Sequence, residues 1–183
     1  MSSSYRQLFC CLLVACLAPS VYADADDTVN VYLAEGIQQD SNLFRQSAQE
    51  QRDAIQTTSA TLAFAKPLAL QRFSLDATVI DYRYSKNHYL DYRATNYNAA
   101  WNWALTHRLT GVLSANQTEA QTSFVDYSLG TPLTHPIVRR TNVNHLGAEW
   151  QVMGGWRLVG GLTNNQQANS STFTAQNSYE LNT

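Results

Sequence analysis

The chain has 183 residues, 44% of them hydrophobic and 11% aromatic, with 12 basic residues against 14 acidic ones for a net charge of -2. That length suits one domain. The mild acidity excludes the basic patch a nucleic-acid binder needs. No apolar run beyond the N-terminal segment approaches the roughly 20 residues of a spanning helix.

Residues 1–23 read as a signal peptide. Residues 1–7 carry a single positive charge, Arg6; residues 8–18 are apolar; Val21-Tyr22-Ala23 offers small residues before Asp24. Leu13-Val14-Ala15-Cys16 resembles a bacterial lipobox, so lipidation at Cys16 competes with simple cleavage after Ala23. A buried core helix is the third reading of this run. All three cysteines, Cys10, Cys11 and Cys16, lie in it. Residues 24–183 therefore hold no disulfide framework, thiol nucleophile or cysteine metal site. Removing Arg6 leaves 11 basic residues against 14 acidic ones, a net charge of -3.

The rest of the chain shows little helical spacing and much period-two alternation. Strands are expected at about 28–38, 54–65, 70–84, 92–105, 109–124, 138–152, 156–164 and 172–183. Only residues 45–55 have the composition for a helical turn, inside a loop. In the third strand Phe73, Leu75, Ala77 and Val79 oppose Arg72, Ser74, Asp76 and Thr78. In the fourth, Tyr97, Ala99, Trp101, Trp103 and Leu105 oppose Asn96, Asn98 and Asn102, since successive side chains point to opposite sides. The sixth and seventh alternate in the same way, with Glu149 and Arg157 on the polar side.

Connections alternate between long and short. Lys66-Pro67-Leu68, Thr106-His107-Arg108 and Met153-Gly154-Gly155 are expected as short turns. The regions 39–53, 85–91, 125–137 and 164–171 are expected as long loops, the last rich in Asn, Gln and Ser. Outer-membrane barrels sort their connections this way, with short turns in the periplasm and long loops outside. Strands of ten to fifteen residues also exceed the five or six usual in soluble sheets. All four tryptophans flank short turns: Trp101 and Trp103 before one, Trp150 and Trp156 around another. Phe64 and Phe73 flank the third. Aromatic rings favour the headgroup level of a bilayer, so these six are expected to form a membrane-interface ring; core packing is the alternative. Tyr82, Tyr84, Tyr92 and Tyr127 would form the opposite ring. Arg72, Asp76, Asn96, Asn98, Asn102, Glu149 and Arg157 are then the lumen-facing candidates. Their amides and mixed charges suit a hydrated sugar; filling a narrow barrel is the plainer role.

No catalytic centre emerges. His88, His107, His135 and His145 are scattered and lack metal-ligand spacing. Asp76 and Asp81, five apart on one strand, point to opposite faces and are no glycosidase pair. Gly154-Gly155 and Gly160-Gly161 lack the context of a phosphate loop. No cofactor and no metal are expected.

The stretch Val29-Asn30-Val31-Tyr32-Leu33-Ala34-Glu35-Gly36-Ile37-Gln38-Gln39, running into Asp40-Ser41-Asn42-Leu43-Phe44-Arg45, resembles the start of the EpsL-type outer-membrane proteins of exopolysaccharide operons. These accompany exosortase systems and are related to porin-like β-barrels. Trp101-Asn102-Trp103-Ala104-Leu105, Gly111 and Phe124-Val125-Asp126-Tyr127 have similar spacing. The resemblance implies a non-enzymatic outer-membrane barrel that exports or helps assemble a polysaccharide beside other export-machinery proteins; it brings no catalytic residues. The barrels of that family are longer, and Tyr179-Glu180-Leu181-Asn182-Thr183 reads as mid-strand. The expectation is therefore an all-β, antiparallel, up-and-down transmembrane β-barrel of about eight strands, the N-terminal portion of a larger one, over residues 24–183. The alternatives are a complete eight-stranded adhesin or structural barrel and a secreted carbohydrate-binding β-sandwich.

Overall fold

The computed structural model describes residues 28–45, 50–122, 136–170 and 176–182. The expected signal peptide, Tyr127, His135 and most of the loop 125–137 lie outside them. Eight strands run in chain order: β1 Val29–Asp40, β2 Asp53–Leu68, β3 Gln71–Tyr84, β4 Tyr92–Thr106, β5 Leu109–Gln121, β6 Val138–Gln151, β7 Arg157–Asn169 and β8 Gln176–Asn182. They form one antiparallel sheet in the order β1-β2-β3-β4-β5-β6-β7-β8. The architecture is thus all-β and up-and-down. The sheet does not close, because β1 and β8 are its two edges and pair only with β2 and β7.

The registers put side chains of one kind on one face. Directly opposed residues share a face, so Phe64↔Leu75, Leu75↔Ala99, Ala99↔Ala115 and Leu113↔Leu146↔Leu162 extend one apolar surface across the sheet. It reaches Val31↔Leu62 on one side and Leu162↔Leu181 on the other. From Phe73 to Val79 along β3 it is about 20 Å long at roughly 3.3 Å per residue. Toward the long loops the same face turns polar, with Asp81, Arg83, Arg93, Gln117, Glu119 and Arg140.

No second layer of protein covers the apolar surface among the described residues, where each strand pairs only with its sequence neighbours. Leu33 is 80% exposed, Leu158 58% and Trp150 50%. The buried apolar residues are only Leu43, Tyr84, Leu90, Ala94 and Ile137. A soluble domain buries the apolar face of a sheet against another layer; this sheet carries its apolar face outward.

Three expectations about elements change. β2 continues through Lys66-Pro67-Leu68, and the turn is Ala69-Leu70, with Ala69 in the left-handed region at φ 53. Pro67 sits in the non-hydrogen-bonded pair next to the hairpin closure, so its missing N–H would point toward β1. The β1 ladder has already ended there, at Val29↔Phe64. The polar run 164–169 is strand rather than loop, paired to β6 through Asn164↔Asn144 and Gln166↔Asn142. β8 is described from Gln176, and residues 172–175 of the expected eighth strand lie outside the described residues. The expected helical turn at 45–55 is absent from its described part: residues 50–52 are irregular and Asp53 already opens β2.

Two turns form largely as read. Thr106 Oγ1 accepts from the N–H groups of Arg108 (3.2 Å) and Leu109 (3.0 Å), closing His107-Arg108. Gly154 (φ 83) and Gly155 (φ 81) supply the left-handed residues of the β6–β7 connection, as glycine does without steric cost.

Candidate functional site

The polar face is the one with structure above it. At the short-turn end it holds a trough of about 760 Å³ whose lining includes Arg72, Asn102, Trp103, His145 and Glu149. At the long-loop end two connections fold over it.

The registers bring the lumen candidates onto this one face. Arg72 stands opposite Asn102, Asp76 opposite Asn98, and Asn96 opposite Thr78. Glu149 stands between Thr110 and Val159, and Arg157 opposite Gln151. Arg157 Nη1 lies 3.6 Å from Glu149 Oε1. Arg72, Asn102 and Glu149 border the trough; Asp76, Asn96, Asn98 and Arg157 do not. The side chains of Arg72, Asp76, Asn98 and Asn102 make no hydrogen bond or ion pair with the described residues, which leaves their polar atoms to solvent or a solute. Asn96 has a structural task instead. The β4–β5 ladder stops at Tyr97↔Gln117, and above it Asn96 Oδ1 accepts from the Glu119 N–H at 2.7 Å. Glu119 in turn accepts from the Thr95 N–H at 2.8 Å.

The candidate aromatic ring is spread along the other face. Phe73 and Trp101 stack with centroids 5.7 Å apart, and Trp101 Nε1 donates to Gln71 Oε1 at 2.8 Å. Phe64 opposes Leu75, and Trp150 lies between Leu109 and Leu158. Trp103 differs from these: it lies against Gly111 and borders the trough. Trp156 is in the β6–β7 connection, its carbonyl accepting from the Val152 N–H at 2.8 Å.

His145 belongs to the trough, though its sequence context gave no reason to single it out. Its ring lies across Gly147 and Gly161; a Cβ would come within 2.9 Å and 3.2 Å of it at these two positions. His145 Nδ1 is 3.0 Å from Thr163 Oγ1. The signal was in the strand phase: His145, Gly147 and Glu149 share a face at spacings of two, and Gly161 opposes Gly147.

The long-loop end is built around Asp53, 1% exposed at the start of β2. Its carboxylate accepts from the N–H of Ala54 (2.8 Å), of Lys86 (3.0 Å) and of Asn87 (3.1 Å), and from the Asn87 side-chain amide (2.8 Å). Burial pushes its pKa up, but these donors outweigh burial and hold it below the usual carboxylate range. The base of the β1–β2 connection is thereby tied to the β3–β4 connection. Leu43 and Leu90, one from each, pack with Tyr84, Ile55, Tyr82 and Tyr92. Tyr82 and Tyr92 stack at 4.5 Å, in phase with Asp76 and Asn98 on the polar face. Asp91 holds the far side, accepting from the Tyr84 N–H at 2.7 Å. Tyr84 Oη donates to Gln121 Oε1 at 2.5 Å, so the aromatic shelf reaches β5. The Arg45 guanidinium beside Asp40 holds that carboxyl below its usual range and braces the outer side of the loop.

The arrangement can offer hydrogen bonds to a hydrated solute in an open trough, beneath a loop end that is closed over. Among the described residues no three His, Asp or Glu side chains gather as a metal set. No protein-family model, curated protein or solved structure matches the chain.

Proposed function

We propose that this chain forms wall strands of an outer-membrane β-barrel that forms or supports a passage for exopolysaccharide, without catalysing a reaction. The observation that carries the reading is the single-layer sheet: its apolar face is exposed over the half nearest the short turns, and its polar face bears side chains free of internal bonds. Lipid is the covering that demands no second protein layer. The resemblance of the opening strand to EpsL-type proteins supplies the polysaccharide. The mixed amides and charges Arg72, Asp76, Asn98 and Asn102 suit a hydrated sugar chain better than an ion of one sign.

The rival readings are less well supported. A complete eight-stranded barrel needs β1 to pair with β8, whereas these strands are the edges of the sheet. Eight strands would also leave no open channel, while a larger barrel that takes in both edges would. A β-sandwich needs a second layer. Fractionation of cells expressing the full chain tests the proposal: recovery in the outer membrane, extractable only with detergent, is expected. Recovery in the soluble periplasm would remove its basis.

A further inference from the structure

We infer that the β3–β4 connection is a stopper seated in the mouth of the lumen, with Asp53 as the pin that holds it. The inference rests on the barrel reading above and adds a regulation to it.

The direction in which the loop leans is the first support. Leu90 is fully buried; together with Leu43 of the β1–β2 connection it packs on the shelf of Tyr82, Tyr84, Tyr92 and Ile55. Those side chains belong to the polar face by register, with Ile55↔Tyr84 and Tyr82↔Tyr92 in phase with Asp76↔Asn98. On the Asp81, Arg83 and Arg93 side the connection makes a polar contact, Asp91 with Arg83 at 3.3 Å, and no apolar packing. In a closed barrel the polar face is the lumen, so Leu90 on its shelf and the stem at Lys86 and Asn87 lean into it, while Asp91 stays at the rim.

The pin is the second support. Three of the four donors to Asp53 come from Lys86 and Asn87, residues of the stopper itself. A surface loop needs no such fixation; most are left solvated. Here a buried carboxylate, at the foot of a different hairpin, fixes the stem of the loop and a buried leucine fixes its tip. The two ends of the polar face therefore differ: the trough by the short turns stays open and the loop end is plugged. Release of the stem would let the loop swing away from the lumen without breaking a strand pair, since β3 ends at Tyr84 and β4 begins at Tyr92.

The test uses the assembled barrel, in which both edges of this sheet are paired, in planar bilayers, with amide hydrogen exchange on the same samples. Asp53→Asn and Leu90→Ser are expected to speed exchange at Lys86, Asn87 and Leu90 by about tenfold or more and to raise mean conductance by roughly twofold or more. A third variant leaves the packing alone. Tyr89 is exposed at the tip of the connection, so Tyr89→Cys labelled with a bulky charged thiol reagent is expected to reduce conductance, with the labelled parent as control for Cys10, Cys11 and Cys16. Faster exchange with unchanged conductance, or labelling at position 89 without effect on the current, overturns the stopper and leaves the barrel standing. A parent chain that does not insert into the bilayer overturns both.

Discussion

Asp53 shows how one side chain can organise a surface that the strands alone leave loose. Its carboxylate satisfies three backbone donors and one amide; removing it would leave buried N–H groups unpaired, at about 1–3 kcal/mol each. The sign of its pH dependence follows from the lowered pKa. A carboxyl that binds protons less readily folded than unfolded stabilises the fold above its ordinary value near 4, and that contribution is lost as pH falls through the folded value. Exchange at Lys86 and Asn87 is accordingly expected to lose protection below about pH 4 in the parent chain; in Asp53→Asn this step should be missing. A step of equal size in both chains would assign the transition to another group. Gly111 makes a different kind of demand. A Cβ there would collide with the Trp103 ring and with the Gly147 carbonyl. The ring can move but the backbone of the neighbouring strand cannot, so Gly111→Ala is expected to destabilise by about 1–3 kcal/mol. Gly160→Ala, with nothing within 4 Å, is its control. Denaturant unfolding in detergent micelles compares the two.

At the scale of the element, alternation was readable wherever the two faces differ. β3 carries apolar and polar residues in strict turn along the apolar half of the sheet, β4 does so but for Ala100 and Ala104 on the polar face, and their expected bounds match to within a residue or so. β7 was readable only as far as residue 164. From Asn164 on, Asn165, Gln166 and Gln167 are polar on both faces, so no alternation remains, and Asn is otherwise depleted in strands. What keeps this stretch extended is pairing on both sides, to β6 and to β8, which is not local information. The loop-end cluster escaped for the same reason: nothing near Leu43 or Leu90 says that the two loops meet over Tyr84. His145 was visible as a residue but not as a site, because its place depends on glycines in its own strand and the next. The β7 register is open to test. Proline at Gln166 would remove a ladder donor and clash in a strand paired on both sides, so Gln166→Pro is expected to destabilise strongly; a loop would tolerate it. Limited proteolysis after residue 160 reads the outcome, with rapid cleavage in the variant and resistance in the parent.

For the whole molecule the question is what covers the apolar face. The described residues bury too few apolar side chains to be held by a core of their own. Its cohesion comes from a continuous ladder of strand pairs, and its exposed Leu, Val and Trp side chains add stability only where the surroundings exclude water. In lipid every ladder bond is strengthened by the absence of competing water, and the free edges β1 and β8 become the costly places, since unpaired backbone groups in hydrocarbon lose several kcal/mol each. This favours a barrel in which both edges are paired over an isolated sheet of eight strands. It also makes the two faces respond oppositely to one substitution. Leu75 is on the apolar face, midway along it, and Ser74 on the polar face beside it. Leu75→Arg is expected to cost about 2–4 kcal/mol if the face meets the bilayer midplane, while Ser74→Arg, placed in a watery lumen, is expected to cost little. A soluble sandwich predicts the same order, because its apolar face is packed beneath a second layer, but its parent chain folds without lipid. Folding yields of the parent and the two variants, with and without lipid vesicles, decide between these cases: a parent that needs lipid together with loss in Leu75→Arg alone supports the membrane-facing assignment, and equal yields of the two variants or folding of the parent without lipid count against it.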